Sequence, residues 1–184
     1  MASSGLIAEA ERIDRAVYAA VADTPTPHLD RLMRGVATAA DYSRLSLLAA
    51  GLLALLGGTR GRRAAVWGLS SVGVTAAVAN LVLKPAGQRE RPDSSSQYVP
   101  LTRRIRMPGS RSWPSGHTAG AVAFASGVSR ALPVAGLPLR TLAVLVGYAR
   151  VHTGVHYPGD VIAGAVLGEV LADLTTGRLA ARRR

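Results

Sequence analysis

Residues 64–83 are twenty consecutive positions without a charged side chain. At a helical rise of ~1.5 Å per residue, such a run reaches across ~30 Å, the hydrocarbon thickness of a bilayer. Within hydrocarbon only a helix or a closed barrel satisfies its own backbone polar groups, and the apolar run is continuous rather than alternating, so it constrains the chain to helices. Four further apolar stretches, residues 45–58, 115–128, 141–151 and 161–174, surround it. The expected fold is an all-α, multi-pass membrane helical bundle. Gly116 with Gly120, and Gly164 with Gly168, stand four apart and predict small-residue ridges for close helix packing.

The first 42 residues read differently. Residues 1–4 look like a short unstructured start. Leu6, Ile7, Ala10, Ile13, Val17 and Val21 then recur at helical spacing among Glu9, Glu11, Arg12, Asp14 and Arg15. Those charges interrupt any signal-peptide core. Thr24-Pro25-Thr26-Pro27 breaks this helix, His28 reads as a solvated loop histidine, and residues 28–40 read as a second short amphipathic helix. The expected organisation is amphipathic helices over 1–42, lying on the membrane surface, a membrane domain over 43–176, and a basic tail over 177–184.

The net charge is +11, and Lys84 is the only lysine. A basic balance can serve nucleic acid, an anionic membrane or an anionic substrate, and its distribution decides among them. Residues 84–114 carry seven basic against two acidic side chains. With aromatics at 4%, no basic stretch interleaved with stacking side chains is present, so no nucleic-acid partner is expected. There is no cysteine, which removes disulfides and thiolate metal sites. Threaded alternately through a bilayer, the later helices put the arginine-rich turns at 60–63, 130–140 and 178–184 on one side. The polar motifs fall on the other, which is then the non-cytoplasmic side.

Those motifs carry the chemistry. Lys84 and Arg91 stand seven apart at the ends of Lys84-Pro85-Ala86-Gly87-Gln88-Arg89-Glu90-Arg91. Pro114-Ser115-Gly116-His117 opens an apolar run, where exposed backbone N–H groups favour an anion. Arg150, His156 and Asp160 follow near the C-terminal end. Guanidinium forks and an ammonium suit a phosphate. Cleaving its ester takes a nucleophile at phosphorus and an acid at the leaving oxygen. His156, with Asp160 to hold its tautomer, fits the first role, and His117 fits the second. His152 reads as a wall residue. Metal binding by His152, His156 and Asp160 is the competing use, but three cations would repel a divalent ion and no carboxylate cluster accompanies them. No metal or other cofactor is expected.

The three stretches resemble the motifs of the type 2 phosphatidic acid phosphatase superfamily: lysine, six residues, arginine-proline; then proline-serine-glycine-histidine; then serine-arginine, five residues, histidine, three residues, aspartate. The resemblance spans about residues 45–174. Residues 148–168 are also similar to actinobacterial membrane phosphatases. It implies that Lys84, Arg91 and Arg150, with Ser115 and Gly116, bind phosphate, that His156 forms a phosphohistidine supported by Asp160, and that His117 protonates the leaving group. The implied substrate is a lipid phosphate in the bilayer, such as a polyprenyl phosphate or diphosphate, or phosphatidate. Ala149 stands where the motif has serine. Vanadate-dependent haloperoxidases share the motifs, but length and hydrophobicity oppose that reading. A non-enzymatic basic membrane scaffold is the remaining alternative, and it requires His156 to be dispensable.

Overall fold

The structure is a computed structural model that describes residues 2–93 and 99–181. Among these residues eight α-helices follow in order: α1 Ala2–Asp23, α2 Pro27–Ala39, α3 Arg44–Leu56, α4 Gly58–Val78, α5 Lys84–Ala86, α6 Gly116–Ala131, α7 Gly136–His152 and α8 Pro158–Ala181. No strand occurs among the described residues, and the all-α expectation holds. The unstructured start expected at residues 1–4 does not, because α1 begins at Ala2. Arg182, Arg183 and Arg184 of the basic tail, and Met1, lie outside the described residues.

The uncharged run becomes one long helical rod. α4 passes through a wide π turn, Ala79–Leu83, directly into α5, so Lys84 sits at the rod's end. Gly58–Ala86 and Pro133–His152 are each long and apolar enough to cross a membrane. The pair Pro27–Ala39 and Asp41–Leu56 passes the same test together, bent by 66°. At that bend Tyr42 (φ 55°) and Ser43 (φ 57°) adopt the left-handed conformation that L-residues adopt rarely. Leu55 and Leu56 of α3 are 81% and 82% exposed. Such apolar exposure suits a lipid surround better than water.

Helix α6 is the centre of the bundle, packed against α4, α7 and α8. Trp67, Val72, Phe124 and Val128 bury the α4–α6 seam. At Gly168 an added Cβ would lie 2.3 Å from the Ala119 carbonyl oxygen, and at Gly164 it would lie 2.5 Å from that of Ser115. This glycine ridge lets α8 rest on the backbone of α6, as its spacing predicts. The Gly116 and Gly120 ridge behaves otherwise. A Cβ at Gly120 meets nothing within 4 Å, because both glycines line a cavity instead of a helix seam.

The alternation of helices brings the end of α5, the start of α6, the end of α7 and the start of α8 to one end of the bundle. A polar layer there is closed by residues 87–93 and 99–115 of the connection and by α1 and α2. Arg103, wholly buried in that connection, donates to Asp30 Oδ1 at 2.7 Å and to the carbonyls of Val21, Ala22 and Thr24. A buried guanidinium is tolerated only when its donors are matched in this way. The first helices are thereby tied to the connection that carries Arg91.

Candidate active site

His156 lies in the turn between α7 and α8, 1% exposed. Its Nε2 stands 3.0 Å from Arg91 Nη1 and its Nδ1 stands 3.3 Å from Asp160 Oδ2. A guanidinium can only donate, so Nε2 must be the accepting nitrogen, and the ring's proton sits on Nδ1 facing the carboxylate. That tautomer leaves the lone pair on the nitrogen turned toward the cations. Burial, reinforced by the charges of Arg91 and Arg150 and opposed by Asp160, pushes the His156 imidazole down to about 4. It is therefore neutral at ordinary pH.

Asp160 is fully buried and receives Arg89 Nη1 at 2.9 Å, Tyr157 N at 2.9 Å and the Ser112 hydroxyl. Its own carbonyl accepts from Ser115 N at 3.0 Å, which joins the Pro114–His117 turn to the start of α8.

Lys84 and Arg91 converge through Ser110, whose hydroxyl accepts from Lys84 Nζ and Arg91 Nη2 at 3.2 Å each. Arg91 also donates to the carbonyls of Ser110, Val155 and Arg111. The fork is thus fixed before any substrate arrives. Lys84 Nζ lies over Gly116, 3.6 Å from where a Cβ would be. Ser115 stands at the N-cap of α6, wholly buried, with its hydroxyl 3.0 Å from Thr118 Oγ1 and accepting from Thr118 N. The hydroxyl is engaged in the cap, so what this turn presents to an anion is its backbone.

Arg150 and His117 share a partner that no motif contains. Asp41, at the α2–α3 bend, places Oδ1 3.0 Å from His117 Nε2 and 3.4 Å from Arg150 Nη2. A carboxylate acceptor assigns the His117 proton to Nε2. Arg150 is 1% exposed in its side chain, Nη2 also donates to the Ala37 carbonyl, and its Nε has no hydrogen-bond partner among the described residues. The missing hydroxyl at Ala149 is explained locally, since that residue packs against Met33 and Ala37 of α2 and carries α2 close enough for the Ala37 contact. His152 turns away to Asp30 at 3.1 Å, so the alternative ligand set of His152, His156 and Asp160 does not assemble.

The eight residues singled out in the sequence therefore meet at one end of the bundle. Asp14, Asp41, Arg89, Ser110 and Ser112 join them without having been singled out. A cavity of about 210 Å³ leads from Lys84, Gly116 and His117 down between α3, α4, α6 and α7 to Phe124, Leu139 and Val146. Tyr42, Ser43, Ser46 and Asn80 also line it.

A cationic cradle between a carboxylate-held imidazole and a second imidazole, at the end of an apolar helical bundle, is the site of a membrane phosphatase. Comparison with known proteins gives the family: the PAP2 superfamily matches residues 64–184, and the chain belongs to it. It is 35% identical over 140 residues to the decaprenylphosphoryl-5-phosphoribose phosphatase of Mycobacterium tuberculosis, covering 72% of this chain and 75% of that one. It is 29% identical over 179 residues to the lipid A 1-phosphatase of Rhizobium johnstonii, covering 88% and 71%. The crystal structure of a transmembrane PAP2-type phosphatidylglycerolphosphate phosphatase from Bacillus subtilis superposes with a TM-score of 0.70 at 29% identity, covering 94% of this chain and 87% of that one. The chain is a phosphoric-ester hydrolase of the lipid-phosphate kind.

Proposed function

We propose that this protein hydrolyses a phosphomonoester or diphosphate of a membrane lipid through a phosphohistidine on His156, without a metal. The observation that carries this reading is the pairing at His156: Arg91 at Nε2 and Asp160 at Nδ1 fix its tautomer, with its lone pair toward the cradle. Lys84, Arg91 and Arg150, with the backbone of Ser115 and Gly116, hold the phosphoryl oxygens and stabilise the charge that grows on them. Removing one such donor typically costs roughly 2.7 to 4 kcal/mol of barrier.

In the first step the Nε2–P bond forms as the P–O bond to the lipid breaks, and the leaving oxygen takes the Nε2 proton of His117, which enters the step as the imidazolium beside Asp41 Oδ1 and leaves it neutral. Arg91 Nη1 exchanges His156 for a phosphoryl oxygen as the substrate seats. In the second step water gives its proton back to His117 while attacking phosphorus, and inorganic phosphate leaves His156. Both steps balance without a further reagent.

The leaving-group side supports a lipid. His117 faces the cavity that descends among Leu139, Leu142 and Phe124, so an alcohol departing there carries an apolar chain. Polyprenyl phosphates, polyprenyl diphosphates and phosphatidate all meet this description. We place the site at the non-cytoplasmic face of a multi-pass protein, because the arginines at 60, 62 and 63 begin α4 at the opposite end from Lys84.

The test is phosphate release from a panel of polyprenyl and glycerolipid phosphates in detergent, for wild type and His156→Ala. The variant should fold and release nothing, and wild type should form an acid-labile phosphoprotein that the variant lacks. Full activity in His156→Ala would remove the reading, and no release from either would favour the scaffold alternative.

A further inference from the structure

Asp160 has donors on both oxygens. Oδ2 takes the His156 Nδ1 proton, the Ser112 hydroxyl and Tyr157 N. Oδ1 has one partner among the described residues, Arg89 Nη1 at 2.9 Å. Arg89 lies between the fixed positions of the lysine-arginine motif, where no role is implied for it. Its other terminal nitrogen, Nη2, donates to Asp14 Oδ2, and its plane lies over the Tyr157 ring at 4.4 Å. Unlike Arg91, its guanidinium makes no hydrogen bond to His156, Ser110 or Lys84 among the described residues. Its fork is committed to two carboxylates.

Asp14 comes from α1, seventy-five positions away in sequence, and is 10% exposed in its side chain. Its Oδ1 accepts from Gly159 N at 2.7 Å, at the first turn of α8. A Cβ at Gly159 would lie 2.9 Å from Asp14 Oδ2 and 3.4 Å from Arg89 Nη1. The bare glycine is what lets the Asp14–Arg89 pair close over the backbone one residue before Asp160. Two independent features, an ion pair and a side chain that must be absent, thus build the same contact.

We infer that Arg89, held by Asp14 of the first helix, is a positioning residue for the reaction: it fixes the rotation of Asp160 so that Oδ2 meets His156 Nδ1, and keeps that carboxylate ionised through phosphoryl transfer. The inference rests on His156 as the nucleophile. When the Nε2–P bond forms, the imidazole becomes positive and its Nδ1 proton more acidic. A carboxylate with a guanidinium on its far oxygen is a poorer base, so the proton stays on Nδ1 and the ion pair survives the step. Without Arg89, Oδ1 would be a buried charged oxygen with no donor, and the carboxylate would turn to find one. The first helix is by this account part of the catalytic apparatus.

The experiment uses the full chain in detergent, with phosphate release from a polyprenyl phosphate and a short-chain phosphatidate. Arg89→Gln should lower kcat about tenfold to hundredfold, as loss of an outer partner of a reactive pair typically does, with KM within about threefold. The acid limb of kcat/KM should move to higher pH, because a cation has been removed from the His156–Asp160 pair. Asp14→Asn should lower kcat more weakly, and because it removes an anion while the cation stays it should not raise the limb; Arg89→Lys should recover much of kcat, and the double variant should be no worse than Arg89→Gln alone.

A raised KM with kcat intact would make Arg89 a substrate ligand and overturn the inference. So would a lowered kcat with an unmoved limb, which mere support of the fold would give, or no change. Should Arg89→Gln fail to fold in a thermal melt, Asp14→Asn is read in its stead, and an unchanged kcat or a raised limb there overturns the inference. Wild-type activity in His156→Ala would instead remove the phosphohistidine reading itself, whatever Arg89 does.

Discussion

Replacing Asp160 by asparagine keeps its size and removes its charge. Each group that meets the carboxylate is a donor: Arg89, Ser112, Tyr157 N and His156 Nδ1. An amide has one accepting oxygen, so in either orientation its NH₂ points at a donor. Turned toward His156, it inverts the tautomer and places the proton on Nε2. Turned toward Arg89, it leaves a buried guanidinium nitrogen unmatched. A buried unsatisfied donor costs about 1 to 3 kcal/mol, so the variant should melt several degrees lower yet fold. The kinetic loss is larger. A unit charge at about 4 Å from the developing imidazolium contributes about 4 kcal/mol at an effective dielectric of ~20, which is roughly a thousandfold in kcat. KM should change little, because Asp160 makes no contact with the cations of the cradle other than through His156. Phosphate release under saturating lipid, with a melting curve on the same sample, reads both effects. A kcat within about tenfold of wild type in folded Asp160→Asn would refute the assignment of the nucleophile's partner.

With His156 held down at about 4, the acid limb of kcat/KM should fall near pH 4, well below that of an ordinary histidine near 6.5. Between those values the unfolded chain binds a proton that the native site refuses, so stability should fall as pH drops through that window and be regained as it rises. Gly120→Leu projects into the cavity beside His117, and should raise KM for long-chain lipid phosphates while sparing a small water-soluble phosphate ester; equal effects on both would deny the cavity its role. Gly168→Val should destabilise the fold, since even a Cβ there meets the Ala119 carbonyl at 2.3 Å, and a melting point equal to wild type would contradict the α6–α8 packing. Asp41→Asn removes a carboxylate that competes for Arg150 and His117, so inorganic phosphate should inhibit more strongly, by roughly fivefold for the ~1 kcal/mol of one solvated charge pair; unchanged inhibition would show that Asp41 does not compete.

Local spacing was enough to announce the membrane helices and the residues that meet at one end of the bundle. An uncharged run long enough to span hydrocarbon leaves little but a helix, and a histidine four residues before an aspartate across a proline-opened helix already brings the two side chains together. Lys84, Arg91, His117, Arg150 and His156 could be named because their residue types are costly in such surroundings and are retained only where paired or used. The same reasoning could not reach Asp14, Asp41, Arg89, Ser110 or Ser112. A charge on an amphipathic first helix looks like a solvated face until its partner is known, and the partners lie 75 positions away for Asp14 and Arg89, and 76 for Asp41 and His117. Nor does spacing say which glycines face a neighbour and which face empty space: Gly164 and Gly168 press on α6 whereas Gly120 opens onto the cavity, a difference set by how α8 and α3 lie against the bundle. Short-range pattern carries the periodicity of the backbone and the kinds of chemistry on it. The pairing of charges across the polar layer follows from burial, which makes each ion demand a partner wherever the packed helices can supply one.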